Sequence, residues 1–225
     1  FEERFNQRAL TFTINRVLPG QFGPTFTRSD AGAGTLQKTN NGNDRLNRTF
    51  MPTLTWRHDG PVWKADAGLG LSLARYTSYD IDRGFFNSVT AQRTGVTLAF
   101  EDIFYLRPGR IVVTDAGGPP VDPYQLSPYA LTAANSNLLE SNDRQRTAFA
   151  NLRRDFPTRW PLSLKAGLDL REATRDLRGG NVPYSYVGAD GRASTTPVGS
   201  DDTAAPFWAP EFSERPAPWG FPVIE

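Results

Sequence analysis

The 225-residue chain has no cysteine, one histidine (His58) and one methionine. Without cysteine there are no disulfides, thiolate metal sites or cysteine nucleophiles, and a lone histidine (His58) leaves Ser-His and multi-histidine zinc chemistry only through an exotic arrangement. Lysine occurs only at Lys38, Lys64 and Lys165, so the 25 basic residues are nearly all arginine, scattered along the chain rather than gathered in a patch. With a formal net charge of +1, this gives no electrostatic footprint for nucleic acid. No apolar run approaches the roughly 18 residues of a transmembrane helix; a transmembrane strand needs only about 9–11, half of them polar, and stays open. Hydrophobic residues make up 38% of the chain, below the roughly 45–50% of globular proteins, while 20 glycines and 18 prolines point to turns and loops rather than a helical bundle. The opening Phe1-Glu2-Glu3-Arg4 has neither an initiator methionine nor a signal-peptide pattern, and reads as the interior of something longer.

What is present is period-two alternation. In WKADAGLGLSLARY (63–76), Trp63, Ala65, Ala67, Leu69, Leu71 and Leu73 share one face, and Lys64, Asp66, Gly68, Gly70 and Ser72 the other. LSLKAGLDLREATR (162–175) repeats the design: Leu162, Leu164, Ala166, Leu168 and Leu170 against Ser163, Lys165, Gly167, Asp169 and Arg171. Each follows a short turn and a second alternating stretch. Residues 47–57 align Phe50, Leu54 and Trp56 before His58-Asp59-Gly60-Pro61, and residues 146–156 align Ala148, Ala150, Leu152 and Phe156 before 157–161. A further strand is expected at 5–17, and another pair at 94–104 and 110–115. Between them, 18–46, 77–143 and 177–225 are polar tracts rich in Gly, Pro, Asn, Asp and Ser, expected as long loops.

Four features favour a membrane barrel over a soluble sandwich. The strand from Val62 to about Tyr76 is long for a globular protein. Aromatic residues bound the apolar band: Trp56 and Trp63 beside one turn, Phe156 and Trp160 beside the other, Tyr76 and Tyr79 at the far end. The opposite face carries Lys64, Asp66, Lys165, Asp169 and Arg171, suited to a wet lumen. Short turns at one end and long loops at the other match outer-membrane barrels. The expected fold is therefore all-β: a partial antiparallel transmembrane β-barrel of five to seven strands with long extracellular loops. Trp63, Ala65, Ala67, Leu69, Leu71, Leu73, Leu162, Leu164, Ala166, Leu168 and Leu170 are expected to face lipid.

The runs YTSYDIDRGFFNSVTAQRTGVTLAFEDIF (76–104), LRPGRIVVTDAGGPPVDPYQLSPYAL (106–131) and RTAFANLRRDFPTRWPLSLKAGLDLREATRDLRG (146–179) resemble the barrel region of TonB-dependent outer-membrane receptors, particularly large ones of environmental Gram-negative bacteria. The resemblance covers most of 45–180; 1–44 and 181–225 match only in strand and loop character. It implies a fragment spanning 1–225 of a barrel of roughly 22 strands, lacking the plug domain, the TonB-contacting box and the C-terminal strands. It also implies a cell outer-membrane location, no cofactor and no catalytic step. The partners it implies are outer-membrane lipid, the plug of the same protein, TonB through that plug, and a small extracellular ligand such as a siderophore or oligosaccharide. A passive porin-like channel and a soluble secreted β-sandwich binding protein are the alternatives.

Residues with chemical promise mostly read as structural. Asp80 and Asp82 do not complete a calcium loop, because the acidic series and the bidentate Glu are missing. The glycines at 32–35 and 118–120 lack the Lys-Ser/Thr of a phosphate loop. Glu101 and Asp102 are strand neighbours facing opposite ways, so they cannot flank one glycosidic bond. No metal site is expected. The candidate ligand contacts are loop aromatics, Tyr76, Tyr79, Phe85, Phe86, Tyr124, Tyr129, Phe207, Trp208 and Trp219, whose flat faces suit ring-bearing molecules.

Overall fold

The computed structural model describes residues 1–79, 86–116, 118–160, 162–196, 199–208 and 220–222. Among them there is no α-helix; nine strands occur, β1 (Glu2–Ile14), β2 (Thr27–Arg28), β3 (Gly34–Phe50), β4 (Thr53–Asp59), β5 (Trp63–Tyr79), β6 (Ser88–Glu101), β7 (Arg110–Asp115), β8 (Ala130–Phe156) and β9 (Leu162–Ser185). The pairings that bear on the argument are antiparallel. The chain divides into two compact units: one holds Phe1–Glu3, Asp44–Ser78 and Leu138–Gly180, the other Arg4–Asn43, Tyr79–Asn137 and Asn181–Glu225.

The first unit is the two expected hairpins, joined. β4 pairs β5 from Asp59↔Lys64 to Thr53↔Gly70, and β5 pairs β8 from Trp63↔Arg154 to Ser78↔Leu139. Both short turns, at 60–62 and after Phe156, therefore lie at the same end of this ladder, as antiparallel order requires. The Gly60 N–H donates to the Trp63 carbonyl (2.9 Å), and the Asp155 N–H to the carbonyl of Val62 (2.9 Å), so the first turn is bonded to the neighbouring strand. Pro52 has no N–H to give a ladder, and it falls between β3 and β4.

The second unit is built on β6. Its first half pairs with β3 and β8, and its second half with β7 and β2. Gly95, at φ +79°, is the extra residue between Val96↔Gly34 and Thr94↔Thr35, a bulge in a conformation that favours glycine. A side chain at Gly34 would strike Leu98 at 2.7 Å, so this position is closed to larger residues. Around β6 lies a hydrophobic core of Leu36, Val89, Val96, Leu98, Val113, Leu126, Tyr129 and Leu131, with Phe12, Ile14 and Val121 packed against it.

The structure corrects the loop boundaries. β2 and most of β3 fall in the tract 18–46, β6, β7 and half of β8 fall in 77–143, and β9 runs to Ser185, inside 177–225. The expected pair at 94–104 and 110–115 is β6 with β7, joined from Glu101↔Arg110 to Val96↔Asp115. Among the described residues nine strands stand where five to seven were expected.

Candidate functional site

Residues directly opposed across an antiparallel ladder share a face. The register therefore places Leu54, Trp56 and His58 of β4 beside Leu69, Ala67 and Ala65 of β5, and Ala148, Ala150 and Leu152 of β8 beside the same three. The Arg146–Glu172 ion pair (3.2 Å) brings the even-numbered residues of β9 to this side as well, and the Asp143–Arg175 pair (2.7 Å) sends the odd-numbered ones to the other. Leu162, Leu164, Ala166, Leu168 and Leu170 thus join Trp63, Ala65, Ala67, Leu69, Leu71 and Leu73 on one four-strand apolar face. It is open: Leu69 is 61% and Leu164 66% exposed, and Leu54, Trp56, Leu152, Leu162, Leu168 and Leu170 are exposed too.

The borders of this face are polar or aromatic. At the turn end the Arg154 guanidinium lies over the rings of Trp63 (5.1 Å) and Phe156 (4.8 Å). His58 is stacked at 6.2 Å on Trp56, on the strand rather than in the turn. At the other border Arg144 and Arg146 stand opposite Leu73 and Leu71, and Arg75 is ion-paired with Glu140 (3.1 Å). A groove of about 820 Å³ there is lined by Arg48, Arg75 and Arg144 together with Phe50 and Leu73. On β5 the apolar series from Trp63 to Leu73 has the length of about 9–11 residues that a tilted strand needs to cross hydrocarbon.

The reverse face is a polar network. Asn151 donates to Asp66 (2.8 Å), and the Lys64 ammonium lies 3.8 Å from Asp59 and 3.6 Å from Asp155. One aromatic interrupts it: the ring of Phe149 covers Gly68, where an added Cβ would come within 2.4 Å of the ring.

The loop aromatics proposed from the sequence scatter. Tyr129 is 0% exposed, its hydroxyl donating to the Pro123 carbonyl (2.7 Å), so in this position it cannot touch a ligand; burial pushes its phenol well above the ordinary range. Phe86, Phe207 and Trp208 pack against the core, Phe86 edge-on to Tyr184 and Phe207 edge-on to Tyr186. Tyr76 and Tyr79 are half-buried on β5, and Tyr124 is exposed. Phe85, Trp219, Asp80 and Asp82 lie outside the described residues.

Two features had no signal in the sequence. Lys38, in β3, is 0% exposed. Its ammonium donates to the carbonyls of Tyr124 (2.7 Å) and Gly220 (2.6 Å), and lies over the rings of Tyr129 (4.6 Å), Phe221 (5.7 Å) and Tyr124 (5.8 Å). Burial lowers it to about 7, against a smaller upward pull from Asp122. The second is the hairpin tip Phe104–Arg107, closed by reciprocal bonds of 2.9 and 3.0 Å, with Tyr105 (φ 46°) and Leu106 (φ 63°) both left-handed. Phe104 and Tyr105 stack edge to face at 4.8 Å, both exposed, and Leu106 is 96% exposed. A non-glycine residue held in this region costs about 1–3 kcal/mol.

Among the described residues no group of three or more His, Cys, Asp or Glu is placed to hold a metal ion, and no helix is long and apolar enough to cross a membrane. Comparison with protein-family models and with curated proteins returns no match.

Proposed function

We propose that this chain forms part of the wall of a transmembrane β-barrel in the outer membrane of a Gram-negative cell, within a receptor that imports a scarce extracellular ligand using energy delivered through TonB. The observation that carries this reading is the open apolar face spanning β4, β5, β8 and β9. An apolar surface of this extent is not left in water without a purpose, and lipid is a solvent that matches its height, its aromatic border and its flanking arginines. The polar reverse face suits a wet lumen. Exposed aromatic surface for a ligand is offered by Tyr124 and by the tip at Phe104 and Tyr105.

Tryptophan fluorescence in vesicles containing brominated lipid tests the membrane part. In the full-length protein, Trp56 and Trp63 are expected to be quenched most by bromines near the headgroups, and a Trp placed at Leu69 by bromines near the chain ends. Absence of quenching at all three sites would refute lipid contact. Conductance across a planar bilayer tests the transport part: an energised receptor with a plug stays silent, whereas a steady open conductance would replace it with a passive channel.

A further inference from the structure

The apolar face of the first unit ends, on the side away from the short turns, in the groove of about 820 Å³ lined by Leu73 and its neighbours. From Trp63 to Leu73 the strand rises about 33 Å, or about 23 Å of height at the usual barrel tilt, close to the apolar band of about 25 Å that such walls present. Trp63 and the groove therefore mark the two borders of one face. β3 supplies Arg48 and Phe50, which alternation places on the same side of that strand, and β5 supplies Leu73 and Arg75. Arg144 of β8 stands directly opposite Leu73, so its side chain leaves the sheet on the leucine side.

The charges at this border do not cancel. Arg75 is met by Glu140 (3.1 Å), and Arg146, opposite Leu71, by Glu172 (3.2 Å). Asp143 also lines the groove, but Arg175 holds its carboxylate through bonds of 2.7 and 3.0 Å toward the reverse face. Arg48 and Arg144 are exposed and pair with no acid among the described residues. Two guanidiniums thus stand unneutralised where a row of leucines ends. Beside hydrocarbon a cation needs water or an anion, and the planar fork of arginine matches phosphate oxygens through two parallel bonds.

We propose that Arg48 and Arg144, with Arg75 beside them, bind the phosphate of a membrane lipid whose acyl chains lie along the face from Phe50 and Leu73 toward Leu69. The proposal rests on the reading of that face as lipid-facing and adds which lipid it selects. Continuity of the groove with the leucines favours a lipid over a soluble anion: a free phosphate would leave Phe50 and Leu73 in water, whereas an acyl chain covers them. A zwitterionic head carries its own cation, which the surplus of arginine repels, so the selected lipid bears net negative charge.

The test places a Trp at Leu71, next to the groove but outside its lining, in the full-length protein in phosphatidylcholine vesicles. Phosphatidic acid or phosphatidylcholine, brominated near the head of the acyl chain, is added at one small mole fraction, and quenching beyond that of the parent protein is read. Phosphatidic acid is expected to quench with about ten-fold higher apparent affinity. Arg48→Gln with Arg144→Gln abolishes the preference, while Arg154→Gln at the opposite border leaves it unchanged. Equal quenching by the two lipids would overturn the phosphate site and leave the lipid-facing reading standing; quenching by neither would overturn both. A preference that survives the double substitution would overturn the arginine assignment, and one abolished by millimolar inorganic phosphate would overturn a lipid as the occupant.

Discussion

The tip at Phe104–Arg107 shows a conflict between a residue and its backbone. A two-residue hairpin with both central residues left-handed is normally filled by Asn-Gly, because any Cβ there crowds the following carbonyl. Here the positions hold Tyr105 and Leu106. Tyr105→Asn with Leu106→Gly is expected to stabilise the chain by about 1–2 kcal/mol in urea unfolding, while removing the Tyr105 ring from the exposed aromatic pair it makes with Phe104. Lys38 is the second such residue. Its folded value of about 7 lies below the ordinary 10.5, so between those values the unfolded chain binds more protons and folding gains stability as pH rises. Below about 7 both states are charged and the cost of burying the ammonium is fully present. Between pH 7 and 9 the gain should be roughly 2 kcal/mol, less than the full linkage of about 1.36 kcal/mol per unit because at pH 7 the folded ammonium is only about half titrated. Thermal unfolding across that range should show the wild-type melting temperature rising, and Lys38→Met flat; a flat wild type would mean that the ammonium stays charged throughout.

The element scale asks what each face of a strand tolerates. Leu69→Arg on the apolar face of β5 should cost about 2–4 kcal/mol in a membrane-inserted barrel, the depth-dependent penalty near the bilayer midplane, and should be near neutral if that face meets water; urea titration in lipid vesicles measures it. On the reverse face Gly68→Ala acts by packing. Its Cβ meets the Phe149 ring, so a cost of about 1 kcal/mol is expected, relieved when Phe149→Ala is added. This two-sidedness was legible in the sequence: the strict alternation over 63–73 and 162–171 gave both strands, their turns and their faces, because one side is apolar throughout. β3 was not legible, since Leu36-Gln37-Lys38-Thr39-Asn40-Asn41 is polar on both sides and its pairing with β6 is set by neighbours distant in the chain. The first half of β8 was missed because apolar residues such as Ala130, Leu131, Ala134, Leu138 and Leu139 do not alternate, and the second half of β9 because it is polar on both sides. The loop aromatics were misplaced differently: composition shows that a polar tract has rings, yet only tertiary packing tells that Tyr129 and Phe207 build a core while Phe104 and Tyr105 do not.

At the scale of the molecule the balance of edges and surfaces decides whether the chain can stand alone. Among the described residues β9 is bonded only to β8, and all 24 of its residues are exposed; β1 lies at the other end of the strand order, beside β3. β9 leaves, among the described residues, a row of N–H and C=O groups on its open side, a template for pairing with another chain. The apolar face adds the leucines and tryptophans of four strands, at roughly 25 cal/mol for each Å² left in water. The core around β6 is drawn from residues of its own unit, while Leu69 of β5 and Leu162, Leu164, Leu168 and Leu170 of β9 are exposed. Residues 1–225 expressed without detergent are therefore expected to aggregate, or to be recovered only with detergent, and detergent should restore strand circular dichroism and a dispersed particle. Sedimentation velocity and a thermal scan check this. A monodisperse detergent-free monomer with a sharp reversible transition would mean that the leucine face is covered by the chain itself, and the assignment would pass to a soluble β-rich binding protein whose two faces close on each other.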